Sequence, residues 1–144
     1  MITPEVRAAW AAATETLIAE IREHGHAITG NWVGRQALLL STRGARSGEM
    51  HLSPLAYSLD NGRYIVTASK GGAPTHPGWY HNLLADPIAT IEVDRKKFQA
   101  RASTADGAER DRLWLQHIAL HPGIGEYPKL TTRLIPVVIL DPLP

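Results

Sequence analysis

An antiparallel β-barrel with helical additions, mainly β within the α+β class, is the fold this sequence predicts, and three observations predict it. First, Asp60-Asn61-Gly62 lies between Tyr57-Ser58-Leu59 and Arg63-Tyr64-Ile65, and Asn-Gly supplies the positive φ values that a tight hairpin needs. Second, Ile88–Val93 and Phe98–Ser103 flank Asp94-Arg95-Lys96 as a further hairpin. Third, the apolar run Ala37-Leu38-Leu39-Leu40 leads into a glycine-bracketed turn, Gly44-Ala45-Arg46-Ser47-Gly48, and then a strand through Pro54, Leu55, Ala56 and Tyr57. About six strands result, with helical patterns confined to the N-terminus, one short stretch and one stretch near the C-terminus.

In chain order, Thr3-Pro4-Glu5 starts the N-terminal helix with a hydroxyl cap, a proline at the first helical position and an acid near the positive end of the dipole. Val6, Trp10, Ala13, Leu17 and Ile21 recur every three or four residues, a single apolar stripe expected to pack on a barrel end and bury Trp10. Glu5, Glu15, Glu20 and Glu23 outnumber Arg7 and Arg22 on the polar side, the wrong balance for anionic lipid, so peripheral membrane contact is not favoured. Gly25 ends this helix, and His24–Arg35 is an irregular connector that tucks Trp32 against the sheet. The third strand, Arg63–Ser69, runs into Lys70-Gly71-Gly72. A helix over Trp79–Ala85 is stopped by Asp86-Pro87. Asp106 and Glu109 form a capping box for a helix over Gly107–Leu120, with Leu113, Trp114 and Ile118 on its apolar side. His121-Pro122-Gly123 breaks it, Ile124–Thr132 is a loop, and Ile135–Leu140 is the last strand, with Pro136 at its start or on a sheet edge.

At 144 residues, 44% hydrophobic and 20% charged, residues 1–144 read as one globular domain with a single core. No cysteine is present, which removes disulfides, thiolate metal sites and a cysteine nucleophile and suits a cytoplasmic setting. No apolar run approaches the ~20 residues that span a bilayer, and the N-terminus does not read as a secretory signal. Between residues 24 and 85, five Lys/Arg stand against two acids, within a chain of net charge +1. That local excess suits a small anionic ligand rather than a nucleic-acid backbone, which needs a broader basic face.

Several stretches carry chemistry. Gly44–Gly48 can turn backbone amides, Arg46 and the Ser47 hydroxyl toward an anion, or it can be an ordinary surface hairpin with solvated arginines. Ser69-Lys70-Gly71-Gly72 permits close approach of a flat ligand to the backbone, or simply exits a strand. Trp79 and Tyr80 can stack on a ring or fill core. The seven histidines show no helical HExxH pair, so no metal site is expected. With no GxSxG elbow and no acid/base pair of carboxylates, enzymatic chemistry here would rest on a bound coenzyme.

Six pieces in order, Leu38–Gly48, Ser53-Pro54-Leu55, Ala68–Pro74, His76-Pro77-Gly78-Trp79-Tyr80-His81-Asn82-Leu83, Arg110–Trp114 and Arg133–Val138, closely resemble the deazaflavin-dependent nitroreductase family of actinobacteria. The resemblance spans roughly residues 20–142 and implies a split β-barrel of the FMN-binding type using coenzyme F420, a 5-deazaflavin. It implies that Arg46, Ser47 and Gly48 hold the coenzyme's phosphate and acidic tail, helped by Arg43. Pro54, Leu55, Ala56 and Tyr57 with Ala68, Ser69, Lys70 and Gly71 would line the ring, and Pro77, Gly78, Trp79 and Asn82 would close the ring and ribityl side. Family members often carry a second basic residue where this chain has Ala45, and several tyrosines in the loop where this chain has only Tyr127.

The implied function is a reductase passing a hydride from reduced F420 to an electron-poor small molecule: an activated enone, a quinone or a nitro compound. Tyr127 or Ser69 would supply a proton. The alternatives are a non-catalytic protein that sequesters F420 or a flavin, and a reductase using FMN on the same fold. Either a monomer or a homodimer is compatible with the sequence.

Overall fold

The computed structural model describes residues 3–144. Helix α1, Pro4–His24, is capped as its sequence predicts: the Thr3 hydroxyl accepts from the Val6 amide at 3.1 Å, and Gly25 closes it in the left-handed region at φ 82°. Strands follow at Ala37–Arg43 (β1), Met50–Ala56 (β2), Ser58–Asp60 (β3) and Arg63–Thr67 (β4). After helix α2, Gly78–Ala85, come β5 (Ile88–Val93), β6 (Lys96–Thr104), helix α3 (Gly107–Leu120) and β7 (Val137–Pro142). Both predicted hairpins form. Asn61 and Gly62 have positive φ, and so do Asp94 and Arg95, although the second turn has no glycine.

The seven strands make one antiparallel sheet in the order β2-β1-β5-β6-β7-β4-β3. Its outermost strands, β2 and β3, are separated in sequence by Tyr57 alone. A sheet whose two edges are joined by one residue must curl until those edges meet, which is the split barrel. The seventh strand beyond the six expected is β3, because the run through Tyr57 divides there and its two parts pair with opposite ends of the sheet. Pro54 sits inside β2, where an edge position removes the need for its missing amide hydrogen.

Alternation along the strands distributes the core. Leu38, Leu40, Ile91, Val66 and Val138 fill the barrel interior with Trp79, Tyr80 and Leu83 of α2. Leu39 and Ala37 face outward beneath Leu17 and Ile21 of α1. Ile65, Val137 and Ile139 meet Leu113 of α3 on another outer face. Because both faces of β1 are covered, its sequence reads as an unbroken apolar run rather than an alternating one.

Three expectations are corrected. Trp10 is 58% exposed rather than buried. A helix of 21 residues is ~30 Å long, and only its C-terminal portion, through Leu17 and Ile21, reaches the barrel. Asp106 has the backbone geometry of a cap but its side chain makes no capping hydrogen bond; Glu109 lies 3.7 Å from Arg63 instead. The expected loop after α3 is wound into 3₁₀ turns over Pro122–Leu130. Gly125 of this segment faces the Ile118 side chain, with room for an ordinary van der Waals contact.

Candidate functional site

A cleft of about 200 Å³ forms where β2, the end of β4, the start of α2 and the 3₁₀ segment converge. Pro54, Leu55 and Ala56 supply one wall, Ser69, Lys70 and Gly71 a corner, Pro77 and Trp79 another wall, and Tyr127 the far side. Beside it a more open basin of about 450 Å³ contains Arg46, Ser47, Gly78 and Asn82. The two adjoin at Pro77-Gly78-Trp79, where Pro77 and Trp79 line the cleft and Gly78 lines the basin. Gly78 has no heavy atom within 4 Å of where a Cβ would stand, so its bareness leaves room at the junction. No acidic side chain lines either cavity.

The corner is shaped by its own backbone and by one arginine. Lys70, Gly71 and Gly72 are successive left-handed residues, a conformation costly for the lysine and maintained only when surroundings hold it. A Cβ on Gly72 would come within 2.9 Å of Leu130, so glycine lets the 3₁₀ segment close down on the corner. The partly buried Arg133 guanidinium donates to the carbonyls of Ala68 (3.1 Å), Ser69 (2.9 Å) and Ala73 (2.9 Å) and to Nδ1 of His76 (2.9 Å). Arginine is always a donor, so His76 accepts at Nδ1. Its pKa is lowered by burial first, then by the Arg133 and His81 charges.

The basin is built differently. The Asn82 side chain, projecting from α2, accepts from the Ala45 amide at 3.0 Å and donates to the Thr42 hydroxyl at 3.1 Å. It fixes the turn to the helix. The Ser47 hydroxyl accepts from the Glu49 amide at 3.1 Å. Arg46 is exposed and makes no salt bridge among the described residues.

Behind the 3₁₀ segment lies a buried pair. Nδ1 of His117 is 2.8 Å from the Ser58 hydroxyl, and its ring centroid is 4.9 Å from that of His121. Nε2 of His121 donates to the Tyr57 carbonyl at 2.8 Å. Burial pushes His117 down to about 4, with His121 adding to the effect. The pair ties α3 to the break between β2 and β3.

Four of the residues assigned to the site by resemblance lie outside both cavities. Arg43 leans toward Asp86 at 4.0 Å. Gly48 serves the turn itself, at φ 74°. The Tyr57 and Ala68 side chains belong to the barrel core, and burial raises the Tyr57 phenol to about 12. Reasoning from the sequence missed Trp32, Arg35 and Thr67 in the cleft, and His51 and His81 in the basin. Trp32 and Arg35 come from the connector after α1, so only folding brings them to the cleft, whereas Thr67, His51 and His81 lie close in sequence to assigned residues. Arg133 carried a signal, since Arg133–Val138 was among the family-like pieces, but no role followed from it.

Another cavity, about 360 Å³ between α1 and Thr29–Trp32, contains one carboxylate. That group, Glu20, is already satisfied by the Ile28 and Thr29 amides and the Thr29 hydroxyl. Among the described residues no group of three or more His, Cys, Asp or Glu could hold a metal, and no helix is long and apolar enough to cross a membrane. Cleft and basin together can accept a flat ring bearing an anionic tail.

The family model described as F420H(2)-dependent quinone reductase matches residues 14–142. An F420H(2)-dependent quinone reductase of Mycobacterium tuberculosis is 38% identical over 119 residues, which are 81% of this chain and 78% of the relative. A solved F420-H2 dependent reductase is 38% identical with a TM-score of 0.69, covering 74% of this chain and 95% of its own. A further solved structure, described as a domain-swapped dimer, is 33% identical with a TM-score of 0.70 over 94% of this chain and 99% of its own.

Proposed function

The chain belongs to the F420H(2)-dependent quinone reductase family, and from that premise we propose that it is an oxidoreductase using coenzyme F420 to reduce a quinone or another electron-poor small molecule. The observation that carries this reading is that a largely apolar cleft and an acid-free basin adjoin at Pro77-Gly78-Trp79. Bound in reduced form, the deazaflavin supplies a hydride from its ring carbon C5. The chain's own residues do the rest. Pro54, Leu55, Ala56 and Trp79 flank the ring and exclude water, while the Arg133-braced corner presents Ser69, Lys70 and Gly71 along its edge. Arg46 and Ser47 receive the phosphate and acidic tail, and the open basin gives a long tail room. Tyr127 closes the acceptor side, where its hydroxyl or that of Ser69 can donate a hydrogen bond or a proton.

Mixing the protein with reduced F420 and a benzoquinone, and following coenzyme absorbance, tests this. Quinone-dependent oxidation well above the protein-free rate is expected. Tight binding without turnover would favour a sequestering protein, and activity with reduced FMN but not with F420 would favour the flavin-using rival. The domain-swapped relative supports a homodimer, which light scattering on the eluted protein checks. The cysteine-free composition suits a cytoplasmic setting.

A further inference from the structure

The ring cleft abuts a second chamber of about 260 Å³, walled by Val33, Leu120, His121 and Pro122 among others. Three residues are common to both cavities: Arg35, Ile124 and Tyr127. Ile124 is apolar and Tyr127 neutral, so Arg35 alone brings charge to the partition. Its Cζ lies 5.5 Å from the centroid of the Trp32 ring. Trp32 is itself half-buried against the Leu17–Ile21–Leu39 cluster, so the guanidinium lies against an anchored aromatic surface. The Arg35 amide donates to the Trp32 carbonyl at 3.0 Å, closing the turn that sets the side chain there. Among the described residues the guanidinium makes no salt bridge, and no acid lines either chamber. Its hydrogen-bond donors are uncommitted.

We propose that Arg35 is an anion-binding catalytic residue on the acceptor side, donating hydrogen bonds to the oxygen on which negative charge develops as the acceptor is reduced. This rests on the reductase reading above. Hydride delivery to a quinone transfers two electrons and one proton's worth of hydrogen together, leaving a hydroquinone monoanion. A proton from Tyr127, Ser69 or solvent completes the hydroquinone, while the coenzyme, oxidised by loss of the hydride, releases one proton in balance. A neutral quinone gains little from a guanidinium, whereas the anion formed from it gains a charge-assisted hydrogen bond. Arg35 therefore acts more strongly on the transition state than on bound substrate. The same chemistry selects acceptors whose reduction places charge on oxygen: quinones, conjugated carbonyls and nitro groups.

The test compares wild type with Arg35→Gln and Arg35→Lys in three measurements: F420 affinity, affinity for 4-nitrophenolate as a stable mimic of the hydroquinone anion, and steady-state reduction of a benzoquinone. For Arg35→Gln, kcat should fall ~10- to 100-fold with little change in KM. That is less than the full ~10²–10³-fold of a sequestered oxyanion donor, because Arg35 is open to water. Nitrophenolate affinity should fall about tenfold, while F420 affinity stays within about twofold. Arg35→Lys should recover part of both losses, since it keeps the charge but not the planar fork. Wild-type kcat together with wild-type nitrophenolate affinity in Arg35→Gln would overturn the proposal, and so would a loss confined to F420 affinity. Failure of the wild-type protein to bind or oxidise reduced F420 would sink the reductase reading instead, and the nitrophenolate titration without coenzyme would then decide Arg35 alone.

Discussion

The two ends of the site are held by opposite means. At the basin, a turn of exposed residues is fastened by the single side chain of Asn82, and its charge, Arg46, stands in solvent. At the corner, the backbone of Ala68, Ser69 and Ala73 is gripped from behind by Arg133, and the neighbouring 3₁₀ segment is backed by the His117–His121 pair. A reacting ring needs fixed geometry, because misplacement slows hydride transfer steeply. An anionic tail needs only charge and room, which mobile solvated side chains provide. The difference teaches that buried hydrogen bonds are placed where position matters and exposed charges where attraction suffices.

The sharpest way to break this contrast is at Arg133. Arg133→Met should remove four donor contacts and leave carbonyls unpaired, lowering stability by ~1.5–3 kcal/mol, the scale for hydrogen bonds from a charged group. Urea unfolding gives that number, and F420 titration on the folded fraction should show weakened ring binding. A stability loss under 1 kcal/mol would mean that the corner holds itself.

Acid should loosen the same end. The folded pKa of His117, about 4, lies below the ordinary imidazole value of 6.5, so the unfolded chain takes up the proton first as pH falls. Stability is complete above about pH 6.5, declines between 6.5 and about 4, and levels off below that for this group. The total is roughly 3 kcal/mol. His117→Leu should flatten that slope in denaturant titrations across the window; an unchanged slope would assign it to other groups.

The basin should respond in the other currency, affinity without stability. Arg46→Ala is expected to weaken F420 binding by ~1.5–3 kcal/mol at low salt, a charge-assisted hydrogen bond, and by less as salt screens the pair. Its unfolding curve should overlay wild type. A shifted midpoint with unchanged affinity would reverse the roles assigned to the two ends. The smallest effect belongs to Asn82→Ala, which frees the turn from α2. About 1 kcal/mol of affinity should be lost with no change in turnover at saturating coenzyme, and a fall in kcat would show that the turn also positions the ring.

The legible parts of this protein are those where neighbours in sequence decide the outcome. Asn61-Gly62 turns because the backbone there must take positive φ, Thr3-Pro4 starts a helix because a hydroxyl and a fixed φ suit its first turn, and the glycine-bracketed basic stretch closes as a turn through the Gly48 amide and the Gly44 carbonyl. The family-like pieces added which turns and corners belong together, and cleft and basin gather most of the residues so assigned. Trp10 shows the limit: a clean apolar stripe says which face of α1 is apolar, not how far the barrel extends beneath it.

What tertiary structure alone decided is long-range. Arg133 grips carbonyls more than fifty residues away in sequence, and carbonyl acceptors are the same in every residue, so no side-chain pattern marks them. Arg35 reaches the partition between two chambers only because the connector folds Trp32 onto the outer core. The family resemblance puts Tyr57 along the ring, yet the switch of its strand from one sheet edge to the other turns its phenol into the barrel core. Sequence by itself determined the strands and their turns, because local backbone and hydrophobic periodicity fix these, and the kind of ligand was legible only through the family-like pieces. Closure of the sheet determined which side chains share a cavity, because proximity across a curled sheet depends on strand order and register, not on spacing along the chain.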